Sequence, residues 1–291
     1  MADIPVSHSL LAGSVAGVAA IIVCHPLDTI RVRLQTSQKF RGAMDCAVQT
    51  VRNEGALALY KGMAIPLMAQ AVYKAVMFGA YSGSQKLVKS LLAQGEGPVT
   101  LGIHHLFFCG GVAGGVNSFV VTPVELIRNR LMVDYAAKKE DRRFRGPVHC
   151  GLSVVKEKGV TGLFRGLSPT LLRDIPGVGT WYATNDFMRR VLAKNQWVGT
   201  SANLLAGACA GIGFWSVSLP FDRIKSIVQT DMDGRYRNVF HCIRTVIAEE
   251  GVFSLYKGWT VAFMRGIPGS AVTFSVFSHT VGLLASSSKS I

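Results

Sequence analysis

One pattern occurs three times in this chain, as Pro26-x-Asp28-x-x-Arg31, Pro123-x-Glu125-x-x-Arg128 and Pro220-x-Asp222-x-x-Lys225, each proline 97 residues after the last. Every copy follows an apolar run, so proline, acid and base fall near the end of a long helix that recurs threefold. Glycine pairs stand 13 and 9 positions before each proline, as Gly13 and Gly17, Gly110 and Gly114, Gly207 and Gly211. Downstream come Tyr60-Lys61-Gly62, Phe164-Arg165-Gly166 and Tyr256-Lys257-Gly258. The polar loop Asp134 to Arg143 lengthens the middle copy by seven residues relative to the first. A repeat this consistent takes precedence over any division by length, and it gives three units, 1–97, 98–197 and 198–291.

The units are too apolar for an ordinary soluble domain. Mean hydropathy is +0.32, with 49% hydrophobic and 16% charged residues. Leu10 to Val23 and Leu106 to Val121 are apolar and rich in small residues, whereas Ala64 to Ala80 and Val261 to Phe277 are interrupted by polar groups. A bilayer-spanning helix needs about 20 residues, a length approached here only if the proline-containing ends are included. Asp28, Lys74, Arg173 and Arg265 then lie within or beside spans, where a charge is costly unless it pairs or faces water inside a bundle. The count is two spans per unit and six in all, with both termini on one side. Between the spans, Ala43 to Arg52, Val148 to Lys158 and Val239 to Glu250 carry apolar residues at three-four spacing and read as surface helices.

The formal charge of +14 is spread over spans and loops without a basic arm or recognition module. It therefore points to an anionic solute or membrane surface, with no nucleic-acid partner. The first nine residues lack the basic region of a secretory leader, so none is expected. The six cysteines include Cys46, Cys150 and Cys242 at one phase of the repeat and form no close CxxC pair, so neither a zinc site nor a disulfide framework is expected.

The triplicated Px[DE]xx[RK], the upstream GxxxG and the downstream [YF][KR]G resemble the mitochondrial carrier family over essentially the whole chain. The resemblance implies an all-α membrane protein of six transmembrane helices with three-fold pseudosymmetry. Such a carrier acts as a monomer by alternating access to a central cavity, across the mitochondrial inner membrane. Termini would lie on the cytosolic side and surface helices in the matrix, with anionic phospholipid such as cardiolipin as a partner and no cofactor. The resemblance further implies a matrix gate pairing Asp28 with Arg128, Glu125 with Lys225 and Asp222 with Arg31. Gln35 and Gln229 occupy the bracing position below those pairs, where the middle unit has Met132. At the cytoplasmic gate the family pattern is depleted to Tyr81-Ser82-x-x-Gln85, Asn185-Asp186-x-x-Arg189 and Phe277-Ser278-x-x-Val281. Only Asp186 and Arg189 keep their charges, so that gate is expected to be weak.

Asymmetric polar residues inside a symmetric machine must meet an asymmetric solute. Counting back from the cytoplasmic motifs gives the contact pairs Ala69-Gln70, Arg173-Asp174 and Arg265-Gly266, with Tyr73-Lys74 one turn nearer the cytosol. An acid beside a base, with a second base opposite, suits a zwitterion: Asp174 for the ammonium, Arg173 or Arg265 for the carboxylate, Tyr73 to stack on an alkylated ammonium and Lys74 to attract an acid. Arg173-Asp174-Ile175-Pro176 and His25-Pro26-Leu27-Asp28-Thr29 resemble the carnitine/acylcarnitine and amino-acid branch, which adds His25 as a cavity candidate. A carnitine-like substrate is thus expected, with a basic or methylated amino acid (ornithine-, lysine- or arginine-like) as the alternative. A non-transporting receptor or scaffold is the alternative from another class, and no catalytic or metal arrangement is evident.

Overall fold

A computed structural model describes residues 6–36, 40–92, 101–134, 143–197 and 199–287. The opening segment 1–5 and the loop 135–142, on which the leader and loop-length readings bear, lie outside the described residues.

Six long helices form the body: α1 (Val6–Thr36), α3 (Ala64–Leu92), α4 (Ile103–Asp134), α6 (Leu167–Lys194), α7 (Thr200–Thr230) and α9 (Trp259–Ser287). Three short ones lie between them, α2 (Ala43–Glu54), α5 (Pro147–Lys158) and α8 (Val239–Glu250), within a few residues of the surface stretches expected from spacing. The helices run on through the motif prolines, so α1 continues for ten residues beyond Pro26. Each proline removes one intrahelical donor, which bends a helix without ending it when neighbouring packing holds both halves. The acid and base of each motif are three residues apart and so share one face.

By length and composition α1, α4 and α7 are apolar enough to cross a membrane. The second long helix of each unit, α3, α6 or α9, has 28 or 29 residues and carries Lys74, Arg173 or Arg265, respectively. Each long helix packs against the next, and α9 returns to α1, closing a six-helix ring. Packing is extensive along α3–α4, α4–α6, α6–α7 and α1–α9, and sparse along α1–α3 and α7–α9.

The aromatic-basic-glycine triplets turn the chain from each surface helix into the next long helix. Gly62, Gly166 and Gly258 have φ of 85°, 91° and 90°, a left-handed backbone that glycine adopts at low cost. A Cβ at these positions would meet Met132, Gln229 and Gln35, respectively. The turn of each unit therefore abuts the bracing position of the next, cyclically around the ring.

Candidate functional site

At the end bearing the surface helices, the motif charges form a ring. Arg128 donates to Asp28 at 2.9 Å, Lys225 donates to Glu125, and Arg31 donates to Asp222. Each pair joins two different units, the acid of one meeting the base of the next in cyclic order. All six side chains are largely buried, so removal of one partner leaves a desolvated charge behind. Arg31 also lies under the Trp215 ring, 4.3 Å from its centroid, a contact not anticipated from the motifs.

The two expected braces differ. Gln35 donates to Asp222 at 3.0 Å and accepts from Ser226 at 3.0 Å. Gln229 instead accepts from Asn129 at 2.8 Å, while its Nε2 is buried without a hydrogen bond. It thus braces helix to helix and does not touch the Glu125–Lys225 pair. Met132 is fully buried against the Gly62 turn.

A second polar layer ties long helices to surface helices. Arg33 makes a forked contact with Glu54 at 2.5 and 3.0 Å, Lys61 joins the same carboxylate, and Arg223 pairs with Glu250 at 2.7 Å. Arg165 reaches Asp231 at 2.5 Å. Burial pushes the Glu54 carboxyl up, but hydrogen bonds from Arg33 and Lys61 outweigh it and leave the group below its ordinary value. The recurring acids Glu54, Glu157 and Glu250 near the ends of the surface helices were the available signal for this layer. Cys46, Cys150 and Cys242 are buried beneath it, and burial raises their thiols, to about 11 for Cys150 and about 12 for Cys242.

Arg173 does not stand free for a solute. Its guanidinium contacts Asp174 at 2.7 and 3.1 Å, Asp222 at 3.2 Å and Glu125 at 3.6 Å. Asp174 also accepts from Ser118 at 3.0 Å and is 5% exposed. The expected contact pair is therefore part of the ion ring, with its charges already satisfied. His25 needs a similar correction: it is fully buried, its ring held between the Lys61 carbonyl at 3.2 Å and Arg128 at 3.4 Å, and it packs behind the ring rather than lining the cavity.

Above the ring opens a cavity of about 850 Å3, whose charged lining residues are Lys74, Asp186, Arg189 and Arg265. Arg265 approaches Asp28 at 3.3 Å but keeps 37% of its side chain exposed. Among the described residues Lys74 has no ion pair. Gln70 lies against Gly17 and lines a smaller pocket that shares Lys74 and Arg265 with the cavity. The Tyr73 hydroxyl is buried without a hydrogen bond.

The upper wall is aromatic. Phe78, Trp181 and Phe214 line it, and Tyr81 stacks on Tyr182 with centroids 3.7 Å apart. At the mouth, Asp186 pairs with Arg190 of its own helix at 2.5 Å, and Arg189 donates to Asn203 at 2.7 and 3.0 Å. Among the described residues neither forms a charge pair between units. The side chains of Phe277 and Ser278 lie outside the described residues. Among the described residues no group of three His, Cys, Asp or Glu is placed to hold a metal ion.

A family model described as "Mitochondrial carrier protein" matches residues 2–91, 100–196 and 196–288. "Solute carrier family 25 member 45" of Mus musculus is 33% identical over 283 residues, covering 95% of this chain and 98% of that protein. "Mitochondrial carnitine/acylcarnitine carrier-like protein" of Arabidopsis thaliana is 34% identical, covering 93% and 96%. "Solute carrier family 25 member 48" of Homo sapiens is 33% identical, covering 90% and 91%.

Proposed function

The chain belongs to the mitochondrial carrier family, and on that premise we propose that it moves a small zwitterionic, carnitine-like metabolite across the inner membrane by alternating access. One observation carries the reading: Lys74 faces the cavity without an ion pair among the described residues, beside the half-exposed Arg265. An exposed cation above a fully paired ring favours a carboxylate, which Lys74 and Arg265 can share through charge-assisted hydrogen bonds. The likeness to a protein named as a carnitine/acylcarnitine carrier-like protein supports that solute class. A basic or methylated amino acid has the same carboxylate end and is the second reading.

In this mechanism the ion ring is the matrix gate. The solute carboxylate draws Arg265 away from Asp28, leaving the Asp28–Arg128 pair with one fewer counter-charge. Binding energy is thereby used to open the gate, as differential affinity for two states requires. The three units 1–97, 98–197 and 198–291 move as one monomer, with anionic phospholipid such as cardiolipin against the basic faces. Reconstitution in liposomes tests the reading, with labelled carnitine, acylcarnitines, ornithine, arginine and nucleotides offered in parallel. Uptake of carnitine-type solutes is expected; uptake of nucleotides alone would overturn it.

A further inference from the structure

The cavity must hold the positive end of a zwitterion as well as its carboxylate, and its acids are already engaged. Asp28 holds Arg128, Glu125 holds Lys225, Asp222 holds Arg31, Asp174 holds Arg173 and Asp186 holds Arg190. A primary ammonium with three donors would have to share one of these carboxylates with the cation that already holds it, or rely on neutral amide acceptors. Aromatic faces impose no such requirement. Phe78 and Tyr182 line the cavity with Trp181 and Phe214, forming a belt across α3, α6 and α7. Phe78 is one helical turn beyond Lys74 on α3, about 6 Å along the axis, a distance that a short carbon spacer between carboxylate and ammonium bridges.

We propose that this aromatic belt is the cation subsite of the cavity and that it selects a fully alkylated ammonium over a primary one. The inference rests on the zwitterion reading above and narrows it to quaternary ammonium solutes. An alkylated ammonium has no N–H to satisfy and gains attraction from ring faces in a desolvated site. A primary ammonium loses its hydration there and, with the acids engaged, is left with neutral acceptors such as the Gln85 and Asn185 amides. The net positive lining makes the neutral rings, rather than a carboxylate, the element that favours a cation.

Two measurements test the belt. Competition for uptake compares a trimethylated ω-amino acid with its unmethylated parent of equal length. The trimethylated solute is expected to compete about ten-fold better or more. Trp181→Leu should abolish that preference, whereas Trp181→Phe should keep most of it. Equal competition by the two solutes, or an unchanged preference in Trp181→Leu, overturns the proposal. In detergent, tetramethylammonium should raise the melting temperature of the wild-type protein and should raise that of Phe214→Leu less. Such a shift sustains the subsite even if no zwitterion is transported, and only the transport reading then fails. No shift in the wild type removes the subsite, whatever solute the protein carries.

Discussion

The middle unit and its two neighbours carry the same motifs but use them differently. In the middle unit the glycines are where helices touch: a Cβ on Gly114 would stand 2.5 Å from the Asp174 carbonyl oxygen, and one on Gly110 would stand 2.9 Å from that of Val178. On α6, Gly179 is equally close to the Phe107 carbonyl oxygen, at 2.8 Å. Among the described residues, Gly13, Gly207 and Gly211 of the flanking units have no neighbour within 4 Å of such a Cβ, and Gly17 meets the flexible end of Gln70. The charged residues follow the same division, because Arg173 touches three acids whereas its third-unit equivalent Arg265 touches Asp28. The α4–α6 pair is a tightly fitted block, and the sparse seams α1–α3 and α7–α9 are where the bundle has room to change.

The largest test of this contrast substitutes the equivalent arginines. Arg173→Gln leaves three buried acids short of a counter-charge and should destabilise the protein by about 3 to 5 kcal/mol. Arg265→Gln, at a half-exposed site, should cost less than about 1 kcal/mol. Melting temperatures in detergent compare them, and equal losses would erase the distinction. Next come the glycines. Gly114→Ala should cost about 1 to 3 kcal/mol by overpacking, while Gly211→Ala should gain about 0.5 to 1 kcal/mol from helix propensity. A loss at both positions would mean that the outer seams are as tight as the inner one.

A smaller effect separates the braces. Gln35→Met removes the hydrogen bond to Asp222 and should cost about 1 to 3 kcal/mol. Gln229→Met also removes a buried, unbonded Nε2, so its cost should be about 1 kcal/mol or less. The contrast fails if the third-unit variant proves the more harmful. The smallest effect concerns the surface helices, which are alike in all three units. Burial raises the thiols of Cys46, Cys150 and Cys242, so each stays protonated at neutral pH and thiolate appears only as pH rises towards the raised value. Mass spectrometry after maleimide treatment at pH 8 should find all three slow to react. Rapid labelling of Cys150 alone would make the middle unit the loose one.

Much of the fold was legible because proline, acid and base report a local need that repeats. The spacing placed six long helices and three surface helices, and the cyclic partners of the ring charges sit together at the bundle end. Residues whose meaning depends on the neighbouring helix were not legible. Arg173 and Asp174 are sequence neighbours, and adjacent helical residues ordinarily face apart; here the long arginine side chain bends back to its neighbour. His25 reads as polar and available until the Lys61 carbonyl and Arg128 are seen on either side. Gln229 shares its motif position with Gln35, yet Asn129 lies opposite it. The aromatic belt follows the repeat only in part: Phe78 and Tyr182 stand at equivalent positions of the first and second units, as Ala69 and Arg173 do, whereas Trp181 and Phe214 correspond to Met77 and Asn117 and have no aromatic counterpart there.

The cyclic ring also constrains how the chain can be made. Arg31 lies 191 residues before Asp222, its acid partner, and the Gly258 turn packs against Gln35. Contacts between the chain's two ends form late, because closing so long a loop is entropically costly. Until the third unit packs against it, the first holds an arginine without its carboxylate in a place where unpaired charge is disfavoured. A one- or two-unit chain therefore lacks the third-unit partner of Arg31, and the finished ring locks only when its last unit meets its first.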